Sequence, residues 1–92
     1  MRENDPLLTN IGKILKSYRR RTGLTGSELA KRINVSQQQV SRYENGINNI
    51  TFDKLIILFN ALEMTRYDID IFFEKVKCFV DSDEYKNLNS NI

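Results

Sequence analysis

Apolar residues recur along the chain at the three- and four-residue spacing of amphipathic helices, and no stretch alternates as a strand would. Five such stretches are separated by short polar turns. Each of the five begins behind a residue that can cap a helix: Asp5, Thr25, Ser36, Thr51 and Thr65. The pattern predicts an all-α domain of five short helices over residues 1–80, followed by a polar, flexible tail over 81–92.

The second and third predicted helices are separated by a turn of only three or four residues. Thr25 and Glu28 have the Thr-x-x-Glu spacing of a capping box at the start of the second helix. Asn34 suits a left-handed turn, Val35 can fill the corner between the two helices, and Ser36 can cap the third. Two short helices joined in this way form a helix-turn-helix.

The third predicted helix contains the stretch SQQQVSRYENG, residues 36–46. At ~100° per residue, Val40 and Tyr43 point toward the core, and the opposite arc carries amides, a hydroxyl and a guanidinium. That arc consists of Gln37, Gln38, Ser41, Arg42 and Asn45. Glutamine matches the major-groove edge of adenine and arginine that of guanine. A solvated helix face is the alternative, but the position behind a capped turn favours readout of DNA bases.

The charges are unevenly distributed, although the net charge is only +2. Residues 1–50 contain nine Lys or Arg against four Asp or Glu, and residues 51–92 contain five against eight. A basic half and an acidic half indicate one side that meets a polyanion and another that avoids it. An ordinary mixed surface remains the alternative explanation of the charges alone.

Other classes of function find little support in the composition. The chain has no histidine and a single cysteine, Cys78, which argues against a zinc site or a Cys-His nucleophile. Cys78 lies among apolar residues and is predicted to be a buried structural thiol. Asp68 and Asp70 have no partner groups that would make a catalytic site. No apolar run approaches the ~20 residues of a membrane helix, and no signal peptide is visible. We therefore expect a cytoplasmic, nucleoid-associated protein that is not an enzyme and needs no cofactor.

Residues 10–73 resemble the Cro/cI-type (XRE-like) helix-turn-helix regulators. The matching stretches are GLTGSELAKRINVSQQQVSRYENG, residues 23–46, and TFDKLIILFNALEMT, residues 51–65. The resemblance implies a five-helix, lambda-repressor-like bundle and a transcriptional regulator that binds double-stranded DNA in a sequence-specific manner. More narrowly, SQQQVSRYENG, residues 36–46, followed by ITFDKLIILFNALEMT, residues 50–65, is similar to short regulators linked to fimbrial operons.

The resemblance implies roles for particular residues. Gln37, Gln38 and Arg42 take the positions that read bases. A wider polar set takes positions that contact phosphates: Lys16, Ser27, Ser36, Gln39, Ser41, Asn45, Asn48 and Asn49. Arg19 and Glu44 take the positions of a structural ion pair between the first and third helices.

Two positions depart from the family pattern. Gly26 stands where the family often has a glutamine that contacts phosphate and braces the first base-reading residue. This departure puts one phosphate contact and the support of Gln37 in doubt. Glu63 stands where the family commonly has glycine, which predicts either a strained turn or a 3₁₀ end to the fourth helix.

A single recognition helix reads too few base pairs to select a site in a genome. The family usually dimerises and reads two half-sites about 34 Å apart, which implies a homodimer on a partly palindromic operator. The predicted seam is the apolar stripe of the fifth helix: Phe72, Phe73, Val76, Phe79 and Val80. Packing within the monomer competes for this stripe, because Ile69 and one of the two phenylalanines are expected in the core. The alternative function is an antitoxin, with the same fold and a toxin held by the fifth helix and tail.

Overall fold

Six helices make up the part of the chain that this computed structural model describes, residues 5–89. They are α1 (Pro6–Thr22), α2 (Gly26–Arg32), α3 (Gln37–Glu44), α4 (Phe52–Ala61), α5 (Arg66–Val80) and α6 (Asp83–Asn89). The first five occupy the positions that the apolar spacing predicted, so the all-α class is confirmed. Within residues 5–89, every helix is too short or too polar to cross a bilayer.

The caps predicted at the starts of the first five helices are all formed. Asp5 accepts hydrogen bonds from the N–H groups of Leu7 and Leu8, at 2.8 and 3.3 Å. The hydroxyl groups of four later residues each accept from the third amide of the helix that follows: Thr25, Ser36, Thr51 and Thr65. Because these bonds are local, the residue types alone were enough to place the helix starts.

Four helices end at a residue in the left-handed conformation. These residues are Gly23, Asn34, Gly46 and Glu63, with φ angles of 82°, 59°, 71° and 56°. In each case the N–H of the next residue donates to a carbonyl five positions back, as in a Schellman motif. Glu63 stands where the family commonly has glycine, and its Cβ strains this left-handed conformation. Of the two predicted outcomes, the strained turn is therefore the one observed, and not a 3₁₀ end.

Among residues 5–89, twelve buried apolar side chains form the core between the helices. They are Ile14, Leu15, Tyr18, Leu29, Ala30, Ile33, Val40, Tyr43, Leu58, Phe59, Leu62 and Phe72. The rings of Phe59 and Phe72 meet edge to face, with centroids 5.0 Å apart, and join α4 to α5. The two helices of the helix-turn-helix each contribute to this core, which holds α3 in place from one side.

Asp68 ties the start of α5 to α1. Its carboxylate accepts from the N–H of Thr65 at 2.9 Å and pairs with the guanidinium of Arg21 at 2.9 Å. The Tyr18 hydroxyl donates to the Asp68 backbone carbonyl at 3.3 Å, and Arg21 lies over the Tyr18 ring. The bond from the Thr65 amide, and then the Arg21 guanidinium, hold the pKa of the Asp68 carboxyl below its ordinary value. Both interactions favour the ionised form, so this link is strongest at neutral pH.

The predicted count of five helices is wrong, because α6 lies in the segment predicted as a flexible polar tail. The N–H of Tyr85 donates to the Ser82 hydroxyl at 3.1 Å, which caps the new helix. The Tyr85 ring packs on Phe79, with centroids 5.2 Å apart. The spacing of apolar residues does not predict this helix. Its packing on α5 involves the ring of Tyr85, a single aromatic residue in a mostly polar segment. Residues 81 and 82 form the turn before α6, and residues 90–92, like residues 1–4, lie outside the described part of the chain.

One side chain of α5 is not where the sequence placed it, and a second, predicted for the seam but also one of two candidates for the core, belongs to the core. Cys78 is exposed instead of buried, because it lies about 120° around the helix from the core residue Phe72. Phe72 is only 1% exposed and belongs to the monomer core, so it is not available as a seam residue. Phe73, at 39% exposed, is the member of the pair that faces outward.

Candidate nucleic-acid interface

The turn between α2 and α3 has the geometry that the sequence predicted. Asn34 takes the left-handed conformation, and the N–H of Val35 donates to the Ala30 carbonyl at 3.0 Å. The Val35 side chain packs against the core, and the Ser36 hydroxyl accepts from the Gln39 N–H at 3.1 Å. Helices α2 and α3 therefore form a helix-turn-helix, and the turn fixes where α3 begins.

Helix α3 has one buried face and one exposed face. Val40, Tyr43 and Glu44 are 2%, 7% and 8% exposed. The exposed face carries the five side chains that the helical wheel placed there: Gln37, Gln38, Ser41, Arg42 and Asn45. It contains no carboxylate, so nothing on it repels a phosphate backbone. We call these five residues the outward face of α3.

Arg19 and Glu44 form the ion pair that the family resemblance implied. Nε and Nη2 of Arg19 donate to the two carboxylate oxygens of Glu44 at 2.6 and 3.0 Å. Nη1 donates to the backbone carbonyl of Leu24 at 2.8 Å. The hydrogen bond to Glu44 raises the pKa of Arg19, against the opposing effect of burial. The pair fixes the crossing of α1 and α3 and neutralises the one acid of α3 away from the outward face.

Two glycines let the backbones of α1 and α3 approach closely at the same crossing. A Cβ on Gly12 would lie 2.5 Å from the carbonyl oxygens of both Tyr43 and Glu44. A Cβ on Gly46 would lie 2.5 Å from the backbone nitrogen of Thr9, at a left-handed φ. Gly12 was not among the predicted residues, although a glycine inside a well-capped helix is a signal of close packing.

A notch of about 230 Å³ brings together four of the predicted DNA-contacting residues. Lys16 of α1 lines it beside Gln37, Ser41 and Asn45 of the outward face. Gly26, at the start of α2, lines the same notch. A Cβ added to Gly26 would lie 3.9 Å from Cγ of Gln37. The missing side chain at Gly26 therefore leaves Gln37 without a neighbour there to brace it. Lys16 is half-buried, and the Glu44 carboxylate that also lines the notch is paired with Arg19. A lysine beside amides and a hydroxyl suits a phosphate oxygen.

The remaining residues predicted to contact phosphates are distributed around α2, α3 and the loop that follows. Ser27 is half-buried in the first turn of α2, and Gln39 is half-buried beside the cap that Ser36 forms. Asn45 donates from Nδ2 to the carbonyl and hydroxyl oxygens of Ser41, at 2.9 and 3.2 Å. Asn49 is exposed. Their contacts with phosphate stay predictions.

The guanidinium of Arg42 is joined to the loop after α3. Its Nε donates to Oδ1 of Asn48 at 3.0 Å. Asn48 was predicted to contact phosphate, whereas its side-chain oxygen is engaged with a residue predicted to read bases. The sequence offered no sign of this contact, because it depends on how the loop turns back toward α3.

A basic stripe of α1 lies beside α3. Lys13, Lys16 and Arg20 share one side of α1 at i, i+3 and i+7, next to the side that carries Gly12 and Arg19. Lys13 and Arg20 are exposed. Neither was predicted as a site residue, but their spacing relative to Lys16 places them on the side of the outward face. The site is thus a polar helix face flanked by cations.

Proteins of known sequence are similar to this chain. An HTH-type transcriptional regulator of Rickettsia conorii is 41% identical over 64 residues, which is 70% of this chain and 49% of that protein. Antitoxin HipB of Escherichia coli K12 is 33% identical over 57 residues, which is 62% of this chain and 65% of HipB. The chain spans about half the length of the Rickettsia relative.

The fold is shared with a solved controller protein of a restriction-modification system, C.Esp1396I. A single-residue mutant of that protein superposes with a TM-score of 0.70 at 26% identity, covering 87% of this chain and 99% of the mutant. C.Esp1396I has also been solved as a tetramer in complex with its natural 35 base-pair operator. These relatives leave the narrower resemblance to fimbrial-operon regulators a prediction.

The match at the level of the family covers most of the core, all but Ile14 and Phe72, and the whole outward face of α3. Residues 15–69 fit the helix-turn-helix family model HTH_3, which is more than half of the chain. Together with the HTH-type regulator above, this match confirms the family that the sequence resembled. The chain belongs to the HTH_3 helix-turn-helix family of Cro/C1-type DNA-binding transcriptional regulators.

Proposed function

We propose that this chain is a sequence-specific regulator of transcription that binds double-stranded DNA as a homodimer on a partly palindromic operator. The observation that carries the proposal is the outward face of α3, which is exposed, free of acids and flanked by the basic stripe of α1. Gln37 and Gln38 would read adenine and Arg42 guanine in the major groove. Occupancy of the operator would block or recruit RNA polymerase in the cytoplasm.

The notch at Lys16 would receive a phosphate of the DNA backbone, and Lys13 and Arg20 would follow the same strand. Contacts of this kind set the register of the protein on the duplex and carry no sequence information. They also release counterions, so binding should weaken steeply as salt is added. Base contacts from the outward face would then supply the preference for one sequence.

A homodimer is needed because a single recognition helix discriminates too weakly between DNA sequences. The apolar surface available for dimerisation differs from the stripe predicted on the fifth helix. Phe79 is already covered by Tyr85, which leaves Phe73 and Val80 as the exposed residues of the predicted stripe of α5. Phe73 contacts Phe59 of α4, with ring centroids 5.9 Å apart. Because Phe52 and Ile56 precede Phe59 by seven and three residues, they continue the same stripe of α4.

This extended apolar surface has Phe52 as its most exposed member, at 71%, with Ile56 at 41%. Exposed apolar residues that join into one patch are typical of an interface with a partner. We assign a second copy of the chain as that partner, because a two-fold dimer presents two α3 helices to two half-sites. The tetramer of C.Esp1396I on its operator is a precedent for assembly on DNA in this fold.

The proposal is tested by selecting a preferred duplex from a random library with the purified protein and measuring the mass of the complex. We expect a selected site with two related halves and two chains per site. Phe52→Ser should weaken self-association and operator binding, whereas Tyr67→Ser should change neither. Tyr67 is a matched control because it is 72% exposed and lies on the opposite side of α5, in a pocket with Ser17 and Arg21. Selection of no sequence at low salt would refute DNA recognition.

An antitoxin that binds DNA and a toxin is the second candidate, favoured by the similarity to HipB. In that case a second protein would cover the apolar surface of α4 and α5. The two candidates are separated by producing the products of the genes next to this one, each alone and together with this chain. A neighbouring product that arrests growth alone, and is neutralised and bound by this chain, would establish the antitoxin function.

A further inference from the structure

The loop between α3 and α4 reaches back to the outward face of α3 at one point. Oδ1 of Asn48 accepts a hydrogen bond from Nε of Arg42 at 3.0 Å. Arg42 itself is exposed, while Asn48 is half-buried in the loop. The bond therefore joins a fixed part of the protein to a side chain that faces solvent.

The loop that holds Asn48 is anchored on both sides. The N–H of Ile47 donates to the Arg42 carbonyl at 2.9 Å, and Thr51 caps α4 three residues after Asn48. Gly46 lies against the backbone of α1, which leaves the start of the loop no room to move inward. Asn48 is consequently set at a defined distance from the last turn of α3.

Arginine offers five N–H donors in a planar fork, and a guanine edge requires only two of them. With Nε engaged by Asn48, the terminal groups Nη1 and Nη2 remain to meet guanine O6 and N7 end-on. A long side chain that is oriented before binding loses less conformational entropy when it binds. The neutral amide also orients the guanidinium without placing a negative charge near the phosphates.

We propose that Asn48 is a positioning residue, which fixes the plane of the Arg42 guanidinium for recognition of one guanine. The inference rests on the proposed function, since it requires Arg42 to read a base. It differs from the role that the family resemblance gives Asn48, because a phosphate contact would strengthen binding to all sequences alike. Asn48 instead strengthens the preference for one base pair.

The test uses the full chain and the duplex site selected from a random library. Arg42→Ala first identifies the base pair whose preference it removes. Affinities are then measured for the selected site and for that site with the base pair replaced. The variants are Asn48→Ala, Asn48→Asp, Asn49→Ala and the double variant Arg42→Ala with Asn48→Ala, each checked for folding by thermal melting.

Asn48→Ala should reduce discrimination at the Arg42 base pair by about threefold to tenfold, with discrimination elsewhere in the site unchanged. Asn48→Asp keeps the acceptor, so it should retain discrimination while lowering affinity for every sequence. Asn49→Ala, the exposed neighbour, should leave discrimination intact. In the Arg42→Ala background, removal of Asn48 should have no further effect on base preference.

A uniform loss of affinity in Asn48→Ala, with full discrimination at the Arg42 base pair, would overturn the positioning role and leave DNA recognition standing. An effect of Asn48→Ala that persists without Arg42 would overturn it equally. If the unaltered protein selects no site, the proposed function fails, and the role of Asn48 fails with it. These outcomes are distinguishable because the unaltered protein is measured first.

Discussion

Replacing Gly12 with alanine should destabilise the domain even though alanine is the better helix former. The added Cβ would lie 2.5 Å from the carbonyl oxygens of Tyr43 and Glu44, whereas ordinary contact begins near 3.4 Å. Both neighbours are backbone atoms, so α1 and α3 would have to separate by most of an ångström. The same shift would stretch the pair between Arg19 and Glu44, whose shortest bond is 2.6 Å.

The magnitude follows from two opposing effects. Overpacking of this kind costs about 1–3 kcal/mol or somewhat more. The gain in helix propensity from glycine to alanine returns about 1 kcal/mol at most. We expect the free energy of unfolding of Gly12→Ala to fall by about 1–2 kcal/mol, which lowers the melting temperature by roughly 5–15 °C for a domain of this size.

Gly26→Ala is the matched control, measured beside Gly12→Ala by urea and thermal denaturation. A Cβ on Gly26 would find only the Gln37 side chain, at 3.9 Å, and would meet no backbone. This variant should be as stable as the unaltered chain or up to about 1 kcal/mol more stable, because alanine restricts the unfolded state. If Gly12→Ala were equally stable, the close crossing of α1 and α3 would not constrain the fold.

Three further predictions concern strain, acid stability and DNA contacts. Glu63→Gly should raise the free energy of unfolding by about 0.5–1 kcal/mol in urea denaturation, since relief of the left-handed strain outweighs loss of the exposed ion pair between Glu63 and Arg32, at 3.0 Å; a loss of stability would contradict the strain. The pKa of Asp68 is lower in the folded protein than in the unfolded chain, first because of the hydrogen bond from the Thr65 amide. Its contribution to stability is therefore complete above the unfolded pKa of about 3.9 and is lost as the pH falls through the folded pKa. Asp68→Asn should therefore flatten the loss of stability as the pH falls below about 4, and equal slopes would argue against this link. Lys16→Ala should weaken binding to all duplexes and flatten the salt dependence, whereas Arg42→Ala should relax preference at one base pair; equal, sequence-independent losses in binding titrations would show that the readout residues are misassigned.

The features that the sequence predicted well depend on interactions between near neighbours. The capping box of Thr25 and Glu28, the turn at Asn34 and the exposed side of α3 all follow from residue types at fixed spacing. The pair between Arg19 and Glu44 is distant in sequence, and only the resemblance to a family indicated it. Local rules thus gave the helices, and a family pattern gave their crossing.

The features that were missed depend on how distant parts of the chain meet. Phe72 and Phe73 are adjacent on α5, and only the position of α4 decides which of them is buried. Helix α6 depends on the contact of Tyr85 with α5, which leaves no periodic trace in a polar segment. The hydrogen bond between Arg42 and Asn48 depends on the path of a loop without regular structure. None of these can be obtained from spacing alone.

The way α3 is held has a consequence for how such proteins diversify. Its attachment uses the inner side chains, the Arg19 guanidinium and a glycine of α1, and none of the five outward residues contributes to the buried core. Under the proposed function, substitutions at Gln37, Gln38 and Arg42 would change the preferred operator while leaving the scaffold intact. New binding preferences would then evolve by surface replacement, without compensating changes in the interior.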